Sequence, residues 1–293
     1  MPQAPSPPLT EPMADTHLSL PAELLLVEGP DAGSFLHGQF TSDVLAMAVG
    51  RWQFSAWLDA AGRVRALFHL VRVAEQRWLL LLRGGRAEDL RGELARFMFR
   101  AKVRLQALPE ARLVPDSARP IHSVQIDGDA ITLGCGTFSM TTGDVQSVTP
   151  LRELQIREGW PWLFDDAGAR DRFTAAALDL HRIGAVALGK GCYPGQEIVA
   201  RLHYRGGNKR CLGRVTLSQR VPRGTTLEAS EDGHDIHLLD VLDTNHGCIA
   251  IAVIHRDVGA AAQVPHDVSC TDGTIARIEH AWGESPHGAA SPR

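Results

Sequence analysis

Lys190-Gly191-Cys192-Tyr193-Pro194-Gly195-Gln196-Glu197 restricts the fold more than any other stretch of the chain. Gly191, Pro194 and Gly195 impose tight backbone geometry. The loop they form carries one thiol, one amide and one carboxylate within the six residues Cys192 to Glu197. The amide both donates and accepts, and the carboxylate can take two N–H donors, which suits the edge of a nitrogen heterocycle. From Ile198 to Leu227 there is no acidic residue, while Arg201, Arg205, Lys209, Arg210, Arg214, Arg220 and Arg223 are cationic. Such a run suits an anionic ligand or a phosphate backbone. A basic run is more often a solvated face, however, and a lone cysteine more often serves packing than chemistry.

The pattern around this loop is that of an α+β protein. Leu24–Val27 reads as a buried strand, followed by a turn at Gly29-Pro30 and a helix capped by Asp31, with Phe35, Leu36, Phe40 and Val44 at helical spacing. Trp52 to Val73 reads as two strands joined at Asp59-Ala60-Ala61-Gly62, and Trp78–Leu82 as a third. Leu90, Leu94, Phe97 and Met98 make one helix face, and a strand follows near Val103–Leu105. Helices stacked on a mostly antiparallel sheet fit this order. A short helix is expected near Phe173–Ile183. Beyond Gly213, β patterns at Val215–Leu217, Ile236–Leu242 and Cys248–Ile254 alternate with turns at Pro222–Gly224 and Asn245–Gly247, as in a small barrel.

Bulk properties exclude several classes. The 293 residues, 44% hydrophobic and 22% charged, supply a core without disulfides or a structural metal. Five widely spaced cysteines without a C-x-x-C pair match a reducing compartment. A net charge of −4 opposes wholesale binding to nucleic acid or membrane surfaces. Met1 to His17 lacks the apolar stretch of a secretory signal and reads as a disordered leader. A cytoplasmic location is the expectation.

The run K-G-C-Y-x-G-Q-E with the following R-G-x-N-K-R (Arg205 to Arg210) resembles the signature of the YgfZ family, itself similar in fold to the T-protein aminomethyltransferases. Three further blocks carry the same resemblance. They are Val27 to Ala32 with Phe35-Leu36-His37-Gly38-Gln39 and Thr41 to Val44; Leu58-Asp59-Ala60-Ala61-Gly62-Arg63; and Ile156-Arg157-Glu158-Gly159-Trp160-Pro161. The family implies three lobes around a central folate cleft, with a small C-terminal β-barrel. Mapped onto this chain, that gives a leader at 1–17, a folate-binding α+β region of two interleaved lobes at 18–205, a barrel at 206–282 and a disordered tail at 283–293. It further implies a folate-linked accessory factor for assembly or repair of iron–sulphur proteins that indirectly supports tRNA modification, rather than an ordinary enzyme.

Carried over by position, Cys192 is the functional thiol. Gln196, Glu197, Arg210, Tyr193 and Lys190 are the expected residues around tetrahydrofolate or a derivative. Partners implied are folate and iron–sulphur clients, including tRNA-modifying enzymes, with no stably bound cluster, no membrane and no direct nucleic-acid contact. Two alternatives stay open: a tetrahydrofolate-dependent aminomethyltransferase or demethylase, and an RNA-binding module. Against the first, Ala66 and Leu67 stand where T-proteins carry a catalytic aspartate. Glu23 and Leu151 occupy positions where some relatives have tryptophans lining the folate site. Trp160 and Trp162 suit either stacking on a pterin or core packing. His234 and His237 form an H-x-x-H pair, but in a strand and turn without an evident third ligand, so no metal site is expected.

Overall fold

The computed structural model describes residues 20–109, 111–143, 151–244, 247–260 and 264–283. The leader 1–17, all but the first residue of the tail 283–293, and most of the Asn245–Gly247 turn lie outside the described residues. Three sheets carry the chain, and every strand pairing among the described residues is antiparallel.

Strand β1 (Leu20–Ala22) opens one sheet, and after the single residue Glu23 the chain enters another as β2 (Leu24–Glu28). There follow helix α1 (Ala32–Gln39), strands β3 (Arg51–Leu58), β4 (Val64–Ala74) and β5 (Arg77–Leu82), helix α2 (Ala87–Ala95) and strand β6 (Arg104–Ala107). Their order in the sheet is β3-β4-β5-β2-β6. Because side chains alternate across a strand, Leu25 and Val27 face a core shared with α1 and α2. Leu24 and Leu26 face the opposite way, into a core shared with the other lobes. Strands β7 (Ala111–Asp116), β8 (Val124–Asp127), β9 (Ala130–Gly134) and β10 (Ser139–Thr142) join β1 in the order β1-β7-β10-β9-β8.

Helix α3 (Leu151–Glu158) and a one-turn 3₁₀ segment (Asp165–Ala167) lead into the loop region. The helix expected at Phe173–Ile183 is instead a chain of turns. Asp179 sits at φ 48°, and successive amides reach back three, four or five residues, so no helical ladder propagates. A helix absent from the sequence reading, α4 (Gln196–Arg205), begins at Gly195.

The C-terminal sheet is formed by β11 (Arg210–Leu217), β12 (Thr226–Glu228), β13 (Asp235–Thr244), β14 (Gly247–His255), β15 (His266–Ser269) and β16 (Ile275–Ala281), with a short α5 (Arg256–Ala260) between β14 and β15. Its order is β12-β13-β14-β11-β16-β15. The sheet curls far enough that the residues just beyond its two edge strands touch: Ala229 forms an isolated bridge with Cys270, and the Ser230 and Thr271 amides donate to Ser269 O and Glu228 O. That is a half-barrel filled by its own apolar cluster, including Leu227, Ile236, Ile254 and Ile278. No helix among the described residues is long and apolar enough to cross a membrane.

Candidate functional site

The 190–197 loop is held by chain segments remote in sequence. Lys190 is buried, and its ammonium donates to the carbonyls of His37, Phe40 and Ser42 at the end of α1. Thr41 ties the same region down, donating through its hydroxyl to Ala185 O at 2.6 Å and accepting the Ala187 amide on its carbonyl at 2.8 Å. At the loop's other end, Gly195 lies against the β3–β4 turn. A Cβ there would stand 2.5 Å from Asp59 O and 3.0 Å from Gly62 Cα, while one on Gly62 would meet Ile198 at 2.9 Å. Both glycines adopt φ above +70°. The opening and second blocks of the resemblance therefore form the seat of the signature loop.

Cys192 is exposed, and Cys135, Cys211, Cys248 and Cys270 are buried. Burial pushes the thiols of Cys135 and Cys211 up to about 12 and that of Cys248 up to about 11, and raises that of Cys270. Cys192 is thus the one cysteine exposed to solvent.

The remaining expected residues divide. Tyr193 is buried with no hydrogen-bond partner for its hydroxyl, and burial raises that group to about 12. Gln196 is half-buried at the first position of α4, its amide 3.5 Å from Lys190 O. Glu197 is exposed in the same turn, where its charge complements the helix N-terminus. Lys190 requires a correction: its three N–H donors all go to backbone carbonyls, so it braces the loop and has no donor left for a ligand. Burial lowers its ammonium to about 8, opposed by Asp43. Arg210 stands beyond the far end of α4, a helix of 10 residues and so about 15 Å long, and pairs with Asp235 at 3.0 Å.

A cavity of about 660 Å³ opens between the two N-terminal lobes. Trp52 and Phe54 of β3 and Trp160 of the third block give it aromatic walls, and Glu158, Arg51 and Arg182 bring charge. Trp160 packs edge-on to Phe54 with centroids 5.0 Å apart. His122, also at the cavity, has a buried Nδ1 without a hydrogen-bond partner. Trp162 plays no such part: it is fully buried beneath the Arg83 guanidinium, 4.9 Å from its ring. A second cavity of about 260 Å³ lies between the 175–188 turns, α4 and the half-barrel. Residues 190–197 line neither cavity.

Sequence reasoning missed Arg83 and Arg182. Arg83 is wholly buried at the end of β5 and donates to Pro161 O, Trp160 O, Gln155 Oε1 and His69 Nε2, which fixes the aromatic wall of the larger cavity. Burial lowers its guanidinium to about 9 and keeps His69 well below the usual imidazole range. Arg182 lines both cavities and donates to the carbonyls of Glu158 and Gly159. Glu23, in a position expected for tryptophan, accepts the Ala87 amide at the start of α2. The acid-free run does not remain a free cationic strip, since Arg210, Arg220 and Arg223 pair with Asp235, Asp243 and Asp166.

Comparison with known proteins agrees with this architecture. No protein-family model matches the chain. It is 28% identical to a tRNA-modifying protein YgfZ of Photobacterium profundum, covering 82% of this chain and 83% of that one. It is 25% identical to the YgfZ of Cronobacter sakazakii over 89% of this chain and 87% of the other. An uncharacterized protein of Haemophilus influenzae is 29% identical over 70% of this chain and 75% of its own length. Among solved structures, the glycine cleavage system aminomethyltransferase T of Bartonella henselae superposes with a TM-score of 0.64 at 17% identity, covering 90% of this chain and 85% of that one.

Proposed function

Taking the chain as a YgfZ-type protein built on the aminomethyltransferase T fold, we propose that it is a cytoplasmic, folate-linked accessory factor for assembly or repair of iron–sulphur proteins, and through them for tRNA modification. One observation carries the reading: the single exposed thiol, Cys192, stands on a loop that two distant blocks of the resemblance brace.

The larger cavity fits a reduced folate. Its volume lies within the range of about 300–1,000 Å³ usual for small-molecule sites, and its aromatic walls match a flat ring. His122 offers a buried nitrogen that lacks a partner. In that site Phe54 and Trp160 would offer aromatic surface to the pterin, Glu158 an acceptor for its N–H groups, and Arg51 and Arg182 positive charge for the anionic tail. Bound there, a reduced folate would supply a carrier for one-carbon units. Cys192 supplies the thiol toward client proteins, with the unpartnered Tyr193 hydroxyl next to it in sequence and the Gln196 amide four residues on.

The test pairs two measurements. Calorimetry on the pure protein is expected to detect tetrahydrofolate, with binding weakened by Trp160→Ala; no binding up to millimolar concentration overturns the folate part. In a deletion strain, Cys192→Ser is expected to reach normal protein level yet fail to restore a cluster-dependent tRNA modification; full rescue overturns the thiol part. Methylene transfer to tetrahydrofolate by the pure protein would instead favour an aminomethyltransferase. The expected catalytic aspartate is replaced by the buried Ala66 and Leu67, and neither side chain can relay a proton.

A further inference from the structure

Away from that loop and both cavities, one side-chain cluster has the composition of a metal centre. His234 precedes β13, His255 ends β14 and Asp257 stands in the first turn of α5. Pairing of β13 with β14 through Ile236 and Ile254 brings the two histidines together from 21 positions apart in sequence. Their rings stack at 3.9 Å between centroids, inclined by 18°. Asp257 Oδ2 lies 3.8 Å from His234 Nε2 and 3.4 Å from His255 Nδ1, and the three ligand atoms fall within 4.8 Å of one another. Asp232 adds a second carboxylate oxygen 3.8 Å from His234 Nε2, while its other oxygen accepts the His234 amide. Among the described residues no other group of three such side chains converges in this way.

The spacing suits a small ion. Bonds of about 2.0–2.2 Å to a tetrahedral centre set neighbouring donors about 3.4 Å apart. The closer pair already stands at that separation; the 3.8 Å pair must close slightly, and the two face-to-face rings must turn about their side-chain torsions so that both ring planes contain the ion. His255 Nδ1 accepts a long hydrogen bond from the Asp257 amide, 3.3 Å, which coordination would replace. Lys209 and Arg210 are the cations whose charge reaches His255, and Arg210 is paired with Asp235.

The sequence suggested a different pairing, His234 with His237, and the fold separates them. His237 is buried, with Nδ1 shared by Thr226 and Arg172 and Nε2 donating to Ala167 O.

We propose that His234, His255 and Asp257 form a three-ligand site for a divalent first-row transition-metal ion on the half-barrel, with solvent completing its coordination. Two imidazole nitrogens and one carboxylate favour ions of the zinc or ferrous type over Mg²⁺ and Ca²⁺, which take oxygen ligands. The ion fastens the turn before β13 to the β14–α5 junction.

Cobalt(II) titrated into the full-length chain tests this. The expected result is one equivalent bound with visible d–d bands, no sulphur-to-cobalt charge-transfer band, displacement by Zn²⁺ and indifference to excess Mg²⁺. His255→Ala and, separately, Asp257→Asn should each weaken binding by about tenfold or more, since even outer-shell losses cost about 10–100-fold. Asp257 is exposed, so its variant keeps the fold, which circular dichroism checks. No uptake at millimolar Co²⁺ or Zn²⁺, unchanged affinity in the Asp257 variant, or a sulphur band pointing to Cys192 would each overturn the proposal.

Discussion

At the scale of single residues, environment separates five chemically identical cysteines. A thiolate is the reactive form of cysteine, and burial holds the thiols of Cys135, Cys211 and Cys248 near or above about 11. Each is therefore protonated as well as inaccessible at pH 8. Alkylation of the folded protein at that pH is expected to label one thiol, Cys192, while the denatured chain takes up five equivalents. Intact-mass spectrometry reads the count, and a second rapidly labelled site in the folded protein contradicts it. Cys192 was legible in the sequence because glycine and proline bound its loop. Lys190 was misread because charge and position say nothing about acceptors: only the fold brings three carbonyls from the end of α1 to its ammonium.

At the scale of elements, the β3–β4 hairpin and the start of α4 meet through glycine against glycine. Gly195→Ala would put a methyl group 2.5 Å from Asp59 O, in backbone that also has φ 78°. A residue strained in this way costs about 1–3 kcal/mol, and the backbone clash adds to it. Gly92 is the control, exposed within α2 with nothing within 4 Å of a Cβ there, so Gly92→Ala should stabilise by about 0.5–1 kcal/mol. Opposite shifts of the urea midpoint are expected, and equal shifts would contradict the packing. The hairpin itself was readable from alternating apolar residues and the Asp-Ala-Ala-Gly turn. Helix α4 was not, because the glycines and proline before it mask its onset and Val199 is its only fully buried side chain.

At the scale of the whole molecule, a buried ion pair joins α3 to the half-barrel. Arg152 makes a two-pronged contact with Asp240 and also donates to Val241 O, while Arg223 approaches the same carboxylate at 3.9 Å. Asp240→Ala leaves the Arg152 guanidinium buried without its partner, which typically costs about 3–5 kcal/mol. Replacing both residues with Met and Leu should recover much of that loss. Chemical denaturation of the parent and both variants measures it, and an Asp240→Ala variant as stable as the parent contradicts the role assigned to the pair. Local pattern determined the strands from Leu24 to Ala107, the turn-separated β segments of the C-terminus and the constrained thiol loop, because alternation, turn chemistry and glycine spacing act over a few residues. Tertiary structure alone decided that His234 meets His255 rather than His237, that Trp160 walls a cavity while Trp162 lies beneath Arg83, and that distant aspartates neutralise part of the basic run. Strand register and lobe docking set those contacts, and both follow from burying apolar faces contributed by the whole chain.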